Sequence, residues 1–350
     1  MFNATNREKS FMSLKVFGLT IVSILVLAIA GMSQDLPPTN AQMQTIPSGS
    51  YVIAMDNTKQ NIGANFNLKA YGLVNHLLQN GIPVLWAIKS GKTKDTNDFT
   101  VNAKRIKPTA ISTANLGFAG GPFIVRQENA AAALPLITAF GNNVAVYETT
   151  ASASIDIRYT LTHKPLIAVG LANGSNSDIH KRVFNDAGIP DYIDYDDSTV
   201  NATSCVTLIA QPHVDAANGD PHVANYRQFS LSGGNVFYQC KAIETYENDL
   251  VNGLFQTTAG WTLANSSSTN LNYPNPDMPL SQFIGGIDGD QSGYETDFVL
   301  GGGSSLQNGT FASAQNRFGA QAYIATTSKV FYGGPGGMIF ELGGHDYRGS

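Results

Sequence analysis

The chain has 350 residues, of which 43% are hydrophobic and only 13% charged, with 35 glycines and a formal net charge of -5 at neutral pH. That length accommodates two ordinary domains, and the glycine-rich, charge-poor balance belongs to compact proteins with many turns rather than to disordered chains. No basic surplus and no Lys/Arg run is present to neutralise a phosphate backbone, so nucleic acid is not an expected partner.

Residues 1–41 read as a signal peptide and polar linker. Arg7, Lys9 and Lys15 precede the apolar run Val16–Ala30, and small residues suit cleavage after Ala30 or after Ala41. The run falls short of the roughly 18–20 residues of a spanning helix, and no second one follows. The expectation is a secreted, periplasmic or cell-surface protein with no stable membrane span after cleavage.

The first α/β unit is expected over 48–155. "YVIAMD" (Tyr51–Asp56) reads as a strand. Leu68, Tyr71, Leu73, Val74, Leu77 and Leu78 mark one face of a helix that closes at Gly81, and "IPVLWAI" (Ile82–Ile88) is a second strand. "GPFIV", "NAAAALPLITAFG" and "NVAVYETT" repeat strand, helix, strand between Gly121 and Thr150. Each cycle reads as a βαβ crossover, which implies parallel strands.

A second unit is expected over 160–350. "LIAVGL" (Leu166–Leu171), "YIDYDD" (Tyr192–Asp197), "CVTLIA" (Cys205–Ala210) and "NVFYQC" (Asn235–Cys240) are short apolar strands, separated by helical stretches at Ser177–Pro190 and Val223–Leu231. From 253 to 316 the sequence loosens into Gly, Ser, Asn and Pro, the composition of an irregular insertion. "AQAYIATT" and "GMIFELGGHDY" then form two late β-runs, and the chain stops three residues after Tyr347, as a segment of a longer surface protein would. The expected fold is α/β: an open, mostly parallel flavodoxin-like sheet with helices on both faces, preceded by a second α/β unit.

"LIAVGL", "YIDYDD", "CVTLIAQPHVD", "SGGNVFYQC" and "GGMIFELGGHDY", spread over 165–347, resemble the class I glutamine amidotransferase-like superfamily. That resemblance implies a nucleophile at Cys240, a base at His345, and Glu244 or Asp346 as an orienting carboxylate. It also implies an oxyanion-hole role for the Gly-Gly-Pro of "AGGPFIV" (Ala119–Val125), far upstream. A thiol of pKa near 8.5 needs a neighbouring His to become a thiolate, which is why the pairing matters chemically. Tyr238 stands where the superfamily's turn takes a small residue, and His345 is followed by Asp346 and Tyr347 rather than by x-Glu. These departures favour a non-catalytic module that binds a small-molecule or surface ligand at the strand ends, through Gln211, His213 and Gln239. The alternative is a Cys-dependent hydrolase or amidase using Cys240 and His345.

Cys205 and Cys240 are the only cysteines, and in an exported chain they are candidates for a disulfide. Strand geometry puts them at opposite ends of neighbouring strands, yet uncertain strand ends leave the pairing open. His213, Asp215, Asp220 and His222 follow no tight ligand spacing and read as a polar loop, so no transition-metal site is expected. Calcium is a possible cofactor at Asp288, Asp290 and Ser292, although Val299 occupies the position of the bidentate Glu.

Overall fold

The structure is a computed structural model that describes residues 40–63, 65–141, 143–171, 177–214, 221–264, 271–287, 297–316, 322–330 and 334–344. All of them fall in one compact unit, residues 36–350. The leader run Val16–Ala30, the calcium candidates Asp288, Asp290 and Ser292, and the His345–Asp346 pair lie outside the described residues.

The first sheet is built from β1 (Met43–Ile46), β2 (Tyr51–Ile53), β5 (Val84–Ala87), β6 (Phe99–Lys107), β7 (Ile111–Phe118), β8 (Phe123–Val125), β9 (Val146–Thr149) and β10 (Ala153–Leu161). A two-residue hairpin, β3 (Asn61–Ile62) with β4 (Asn65–Phe66), stands apart from it. Helix α1 (Lys69–Gln79) lies between β2 and β5, and α2 (Gln127–Phe140) between β8 and β9. Beyond α1, Gly81 takes a φ of 72°, the left-handed conformation that ends a helix without a Cβ clash.

Strand order is β1-β10-β5-β8-β2-β9-β6-β7, and every neighbouring pair is antiparallel. β2 and β5 run in one direction, as a βαβ crossover requires, but β8 lies between them and opposes both. The second cycle behaves alike: β8 and β9 run together with β2 inserted between them. Two split βαβ units therefore interleave, and each fills the gap left by the other.

Both faces of this sheet are covered. Tyr51, Ile53, Val84, Phe123 and Val146 pack on α1 and α2, where Leu73, Leu77 and Ile137 meet them. The alternate residues Val52, Leu85 and Ile124 point to the other side and pack with Phe99, Phe118 and Tyr147. Burial on both faces gives strands continuous apolar sequences, whatever their direction.

The second sheet contains β11 (Ile167–Gly170), β12 (Ile193–Tyr195), β13 (Leu208–Gln211), β14 (Asn235–Gln239), β15 (Trp261–Ala264), β17 (Asp297–Leu300), β19 (Ala322–Lys329) and β20 (Met338–Leu342). Its order is β12-β11-β13-β14-β20-β19-β17-β15, with β16 (Leu271–Asn272) and β18 (Phe311–Asn316) branching from β19. Pairs from β12 to β20 are parallel; all the others are antiparallel. Between 253 and 316 the chain contributes β15 to β18. The connecting helices are α3 (Ser177–Ala187), α4 (Val223–Leu231) and α5 (Lys241–Glu247).

The expectation of an open, mostly parallel flavodoxin-like α/β sheet preceded by a second α/β unit is therefore corrected. The protein is mainly antiparallel β, with parallel pairing confined to five strands of three to five residues.

Specific contacts fasten the second half of the chain to the first. Gly72 in α1 lies where an added Cβ would stand 2.1 Å from the Ala187 carbonyl oxygen at the end of α3, so only glycine permits that approach. Lys92, buried, reaches Asp98 Oδ1 and Gln282 Oε1, each at 2.7 Å. Arg158 Nη2 donates to Asp277 Oδ2 at 2.9 Å.

Candidate active site around Cys240

β14 and α5 meet at Cys240, which has φ 57° and ψ -130°. This mirror-image extended conformation is open to glycine and strained for any residue with a Cβ. Neighbours hold it there. The Cys240 amide donates to Leu342 O at 3.0 Å, continuing the β14–β20 ladder, while the Cys240 carbonyl accepts from Ile243 N at 3.0 Å. Glycine should therefore be the more stable replacement: Cys240→Gly is expected to exceed Cys240→Ala by about 1 kcal/mol in urea unfolding. Equal midpoints would show that the turn is unstrained.

Strand register supplies the thiol's partner. Gln211 in β13 is paired with Tyr238 in β14, so two residues further along His213 stands level with Cys240. His213 Nδ1 lies 3.2 Å from Cys240 Sγ, within hydrogen-bond reach of a thiol. The loop carrying His213 is tied to α5 by Thr245, whose hydroxyl donates to Val214 O at 3.0 Å. Cys240 is buried at 1% exposure, whereas Cys205 is exposed, and both are free thiols, so no disulfide joins them.

A polar network surrounds the strand ends next to this pair. Asp197 accepts from the Tyr226 hydroxyl at 2.6 Å and from the Tyr246 hydroxyl at 3.3 Å, and Gln211 Nε2 lies 3.4 Å from the same carboxylate. Tyr226 also meets Gln211 Oε1 at 2.7 Å. Burial first, then the neighbouring Tyr246 and Asp197, push the Tyr226 hydroxyl well above its ordinary range and keep it protonated. The rings of Tyr238 and Tyr246 stack at 4.7 Å beneath this network.

On the opposite face of β14, Gln239 Oε1 meets His180 Nε2 of α3 at 2.5 Å. Burial pulls the His180 imidazole below its usual range, partly offset by its hydrogen bonds to Gln239 and the Ala210 backbone, so it is held neutral.

At the far end of α5 two carboxyls are fully buried. Glu247 accepts from Phe255 N at 2.8 Å, Gln256 N at 2.8 Å, Thr257 N at 2.6 Å and the Thr257 hydroxyl at 2.7 Å. Burial nevertheless raises it to about 7. Among the described residues, Glu341 in β20 receives only Trp261 Nε1 at 3.0 Å and the Thr326 hydroxyl at 3.2 Å. Burial, with the charge of Glu247 second, pushes Glu341 well above the carboxylate range.

Of the residues singled out in sequence, the structure brings Cys240 and His213 together. Gln211 and Gln239 are buried in the networks on either face. Glu244 forms an ion pair with Lys241 at 2.6 Å. The Gly121 amide of the Gly-Gly-Pro stretch donates to Asp98 Oδ2 at 2.9 Å and is committed there. Among the described residues no group of three or more His, Cys, Asp or Glu side chains is placed to hold a metal ion, and no helix is long and apolar enough to cross a membrane.

No family model matches the chain, and no curated protein does. Among solved structures, Gan42B, a GH42 beta-galactosidase, aligns at TM-score 0.33 and 13% identity, over 62% of this chain and 30% of its own. A catalytic mutant of Gan42B from G. stearothermophilus aligns at TM-score 0.31 and 13% identity over the same shares of the two chains. The mmIFT52 N-terminal domain aligns at TM-score 0.34 and 11% identity, over 52% of this chain and 87% of its own. The chain spans about 30% of the Gan42B chain. Largely antiparallel sheets overturn the resemblance to the class I glutamine amidotransferase-like superfamily, which is withdrawn.

Proposed function

We propose that this protein is an exported cysteine-dependent hydrolase of activated acyl groups, with Cys240 as nucleophile and His213 as base. The observation that carries this reading is a thiol on a strained strand-to-helix turn, 3.2 Å from an imidazole nitrogen. In the first half-reaction His213 takes the thiol proton and Cys240 Sγ bonds to the substrate carbonyl carbon. The tetrahedral adduct then expels the alcohol or amine, which leaves with the proton returned by His213. In the second, neutral His213 deprotonates water, hydroxide attacks the thioester, and the carboxylic acid departs as the Cys240 thiol is restored. The leader-like run before residue 41 supports export.

A second reading, a ligand-binding module, is favoured by the 1% exposure of Cys240, since a buried thiol requires movement before substrate can reach it. Incubation with p-nitrophenyl acetate separates the two. The hydrolase reading expects one equivalent of p-nitrophenol released in a burst, an acetyl group on Cys240 by mass spectrometry, and neither in Cys240→Ala. A folded protein that gives no burst and no Cys240 adduct would leave the binding module standing.

A further inference from the structure

A cavity of about 440 Å³ opens beside α1, and Met55, Phe66, Leu68, Tyr71, Phe283 and Ile287 are among its walls. Neither Cys240 nor His213 is among the residues that line it. A volume of this size with mostly apolar walls is typical of a small-molecule site. The rings of Phe66 and Tyr71 lie 6.0 Å apart at 59°, and Phe283 adds a third. Aromatic and thioether walls favour a flat ring system, which can meet both their edges and their faces.

The polar groups narrow the ligand further. No Asp, Glu, Lys, Arg or His is among the described residues lining the cavity. Lys94, which lies over the Phe283 ring at 4.1 Å, is paired with Asp95 at 2.7 Å. A charged ligand would therefore leave water with no unpaired counter-charge to meet it. Gln282 is committed: its Nε2 donates to Pro276 O at 2.9 Å and to Met278 O at 2.8 Å, and its Oε1 accepts from Lys92 at 2.7 Å. Asn57 and Asn65 are exposed.

Tyr71, half-buried, differs from these three. It supplies the one hydroxyl among the described lining side chains, and burial alone pushes that hydroxyl up to about 12, with no hydrogen bond or neighbouring charge contributing. Among the described residues it has no hydrogen-bond partner. A phenol taken out of water normally finds an acceptor, so this donor calls for one from a ligand.

We infer that the cavity binds an uncharged aromatic carbonyl compound without hydrogen-bond donors, such as a ketone, with its rings among Phe66, Tyr71 and Phe283 and its carbonyl oxygen accepting from the Tyr71 hydroxyl. A ketone presents an acceptor and no donor, which matches a wall whose committed amide, Gln282, has no acceptor to spare. The inference is independent of thiol chemistry at Cys240.

Displacement of Prodan, an uncharged naphthyl ketone whose emission reports the polarity around it, from the full chain tests it. 2-Acetonaphthone is expected to displace the probe, and 2-naphthoate to compete at least about tenfold more weakly. Tyr71→Phe should weaken 2-acetonaphthone about fivefold, as loss of one hydrogen bond requires, and leave 2-ethylnaphthalene unchanged. Its melting temperature should not fall, because the hydroxyl bonds nothing among the described residues. Failure of Prodan to bind, displacement by 2-naphthoate as strong as by 2-acetonaphthone, or equal effects of Tyr71→Phe on the ketone and the hydrocarbon would each overturn the inference.

Discussion

Replacing Glu247 by Ala is expected to destabilise the protein by about 4 kcal/mol or more, among the largest effects of any single substitution here. Three backbone amides and a hydroxyl converge on this carboxylate, and truncation leaves all four donors buried without an acceptor. Glu247→Gln retains one oxygen. Its amide must face either Phe255 N or the three donors around Oε1, and the cheaper choice orphans a single N–H, at about 1–3 kcal/mol. Glu341→Gln should be nearly neutral, because its carboxyl is held protonated and glutamine can still accept from Trp261 and Thr326.

The pair also sets a pH dependence with a defined sign. Both carboxyls have folded-state pKa values raised above the unfolded value of about 4.3, so the folded state binds more protons. Their contribution is fully present below about pH 4.3 and is lost as pH rises through the folded value, about 7 for Glu247. Melting temperature should therefore decline between about pH 5 and 8, and Glu341→Gln should flatten the decline by removing one of the two carboxyls whose extra bound proton produces it. A melting temperature that climbs over this range in both proteins would mean that the carboxyls are not coupled as described.

His213→Ala is the second large effect expected. A positioned general base contributes roughly 10²- to 10⁴-fold, so acetylation of Cys240 by p-nitrophenyl acetate at pH 7 should slow by at least about 100-fold. The substitution removes a side chain that follows β13 at the sheet edge, and the melting temperature should change little. Undiminished acetylation in His213→Ala would assign activation of the thiol to another group.

Burial could be read from the sequence far better than strand direction could. "YVIAM" and "VLWAI" are strands, and the Leu73–Leu77 face belongs to a helix, because these patterns report which atoms leave water. Such runs normally indicate parallel strands covered on both sides. Here the first sheet has helices on one face and a second apolar cluster around Phe99 and Phe118 on the other, so antiparallel strands acquire the same signature. Interleaving of the two split units depends on contacts between distant segments, such as β2 with β8, which no local pattern encodes.

At the site, the sequence revealed the strand, cysteine and helix in their order, but not the cysteine's partner. His213 stood out as a ligand-binding candidate beside Gln211 and Gln239, not as the thiol's base. Its position follows from the Gln211–Tyr238 register, which also separates Cys205 from Cys240. Glu247 carried no sequence signature that distinguishes it from Glu244 one turn away. Only the packing of 255–257 around the end of α5 makes one buried and leaves the other paired with Lys241 at the surface.

The most direct test of the Cys240–His213 pair is the pH profile of iodoacetamide labelling at Cys240, followed by mass spectrometry in the native protein and in His213→Ala. The midpoint of the profile, unlike the absolute rate, is insensitive to how rarely the buried thiol opens. A midpoint well below the free-thiol value of about 8.5, moving up toward it in His213→Ala, is the expected result. A midpoint at or above 8.5 in both proteins would contradict an activated thiol and leave Cys240 a buried cysteine on a strained turn.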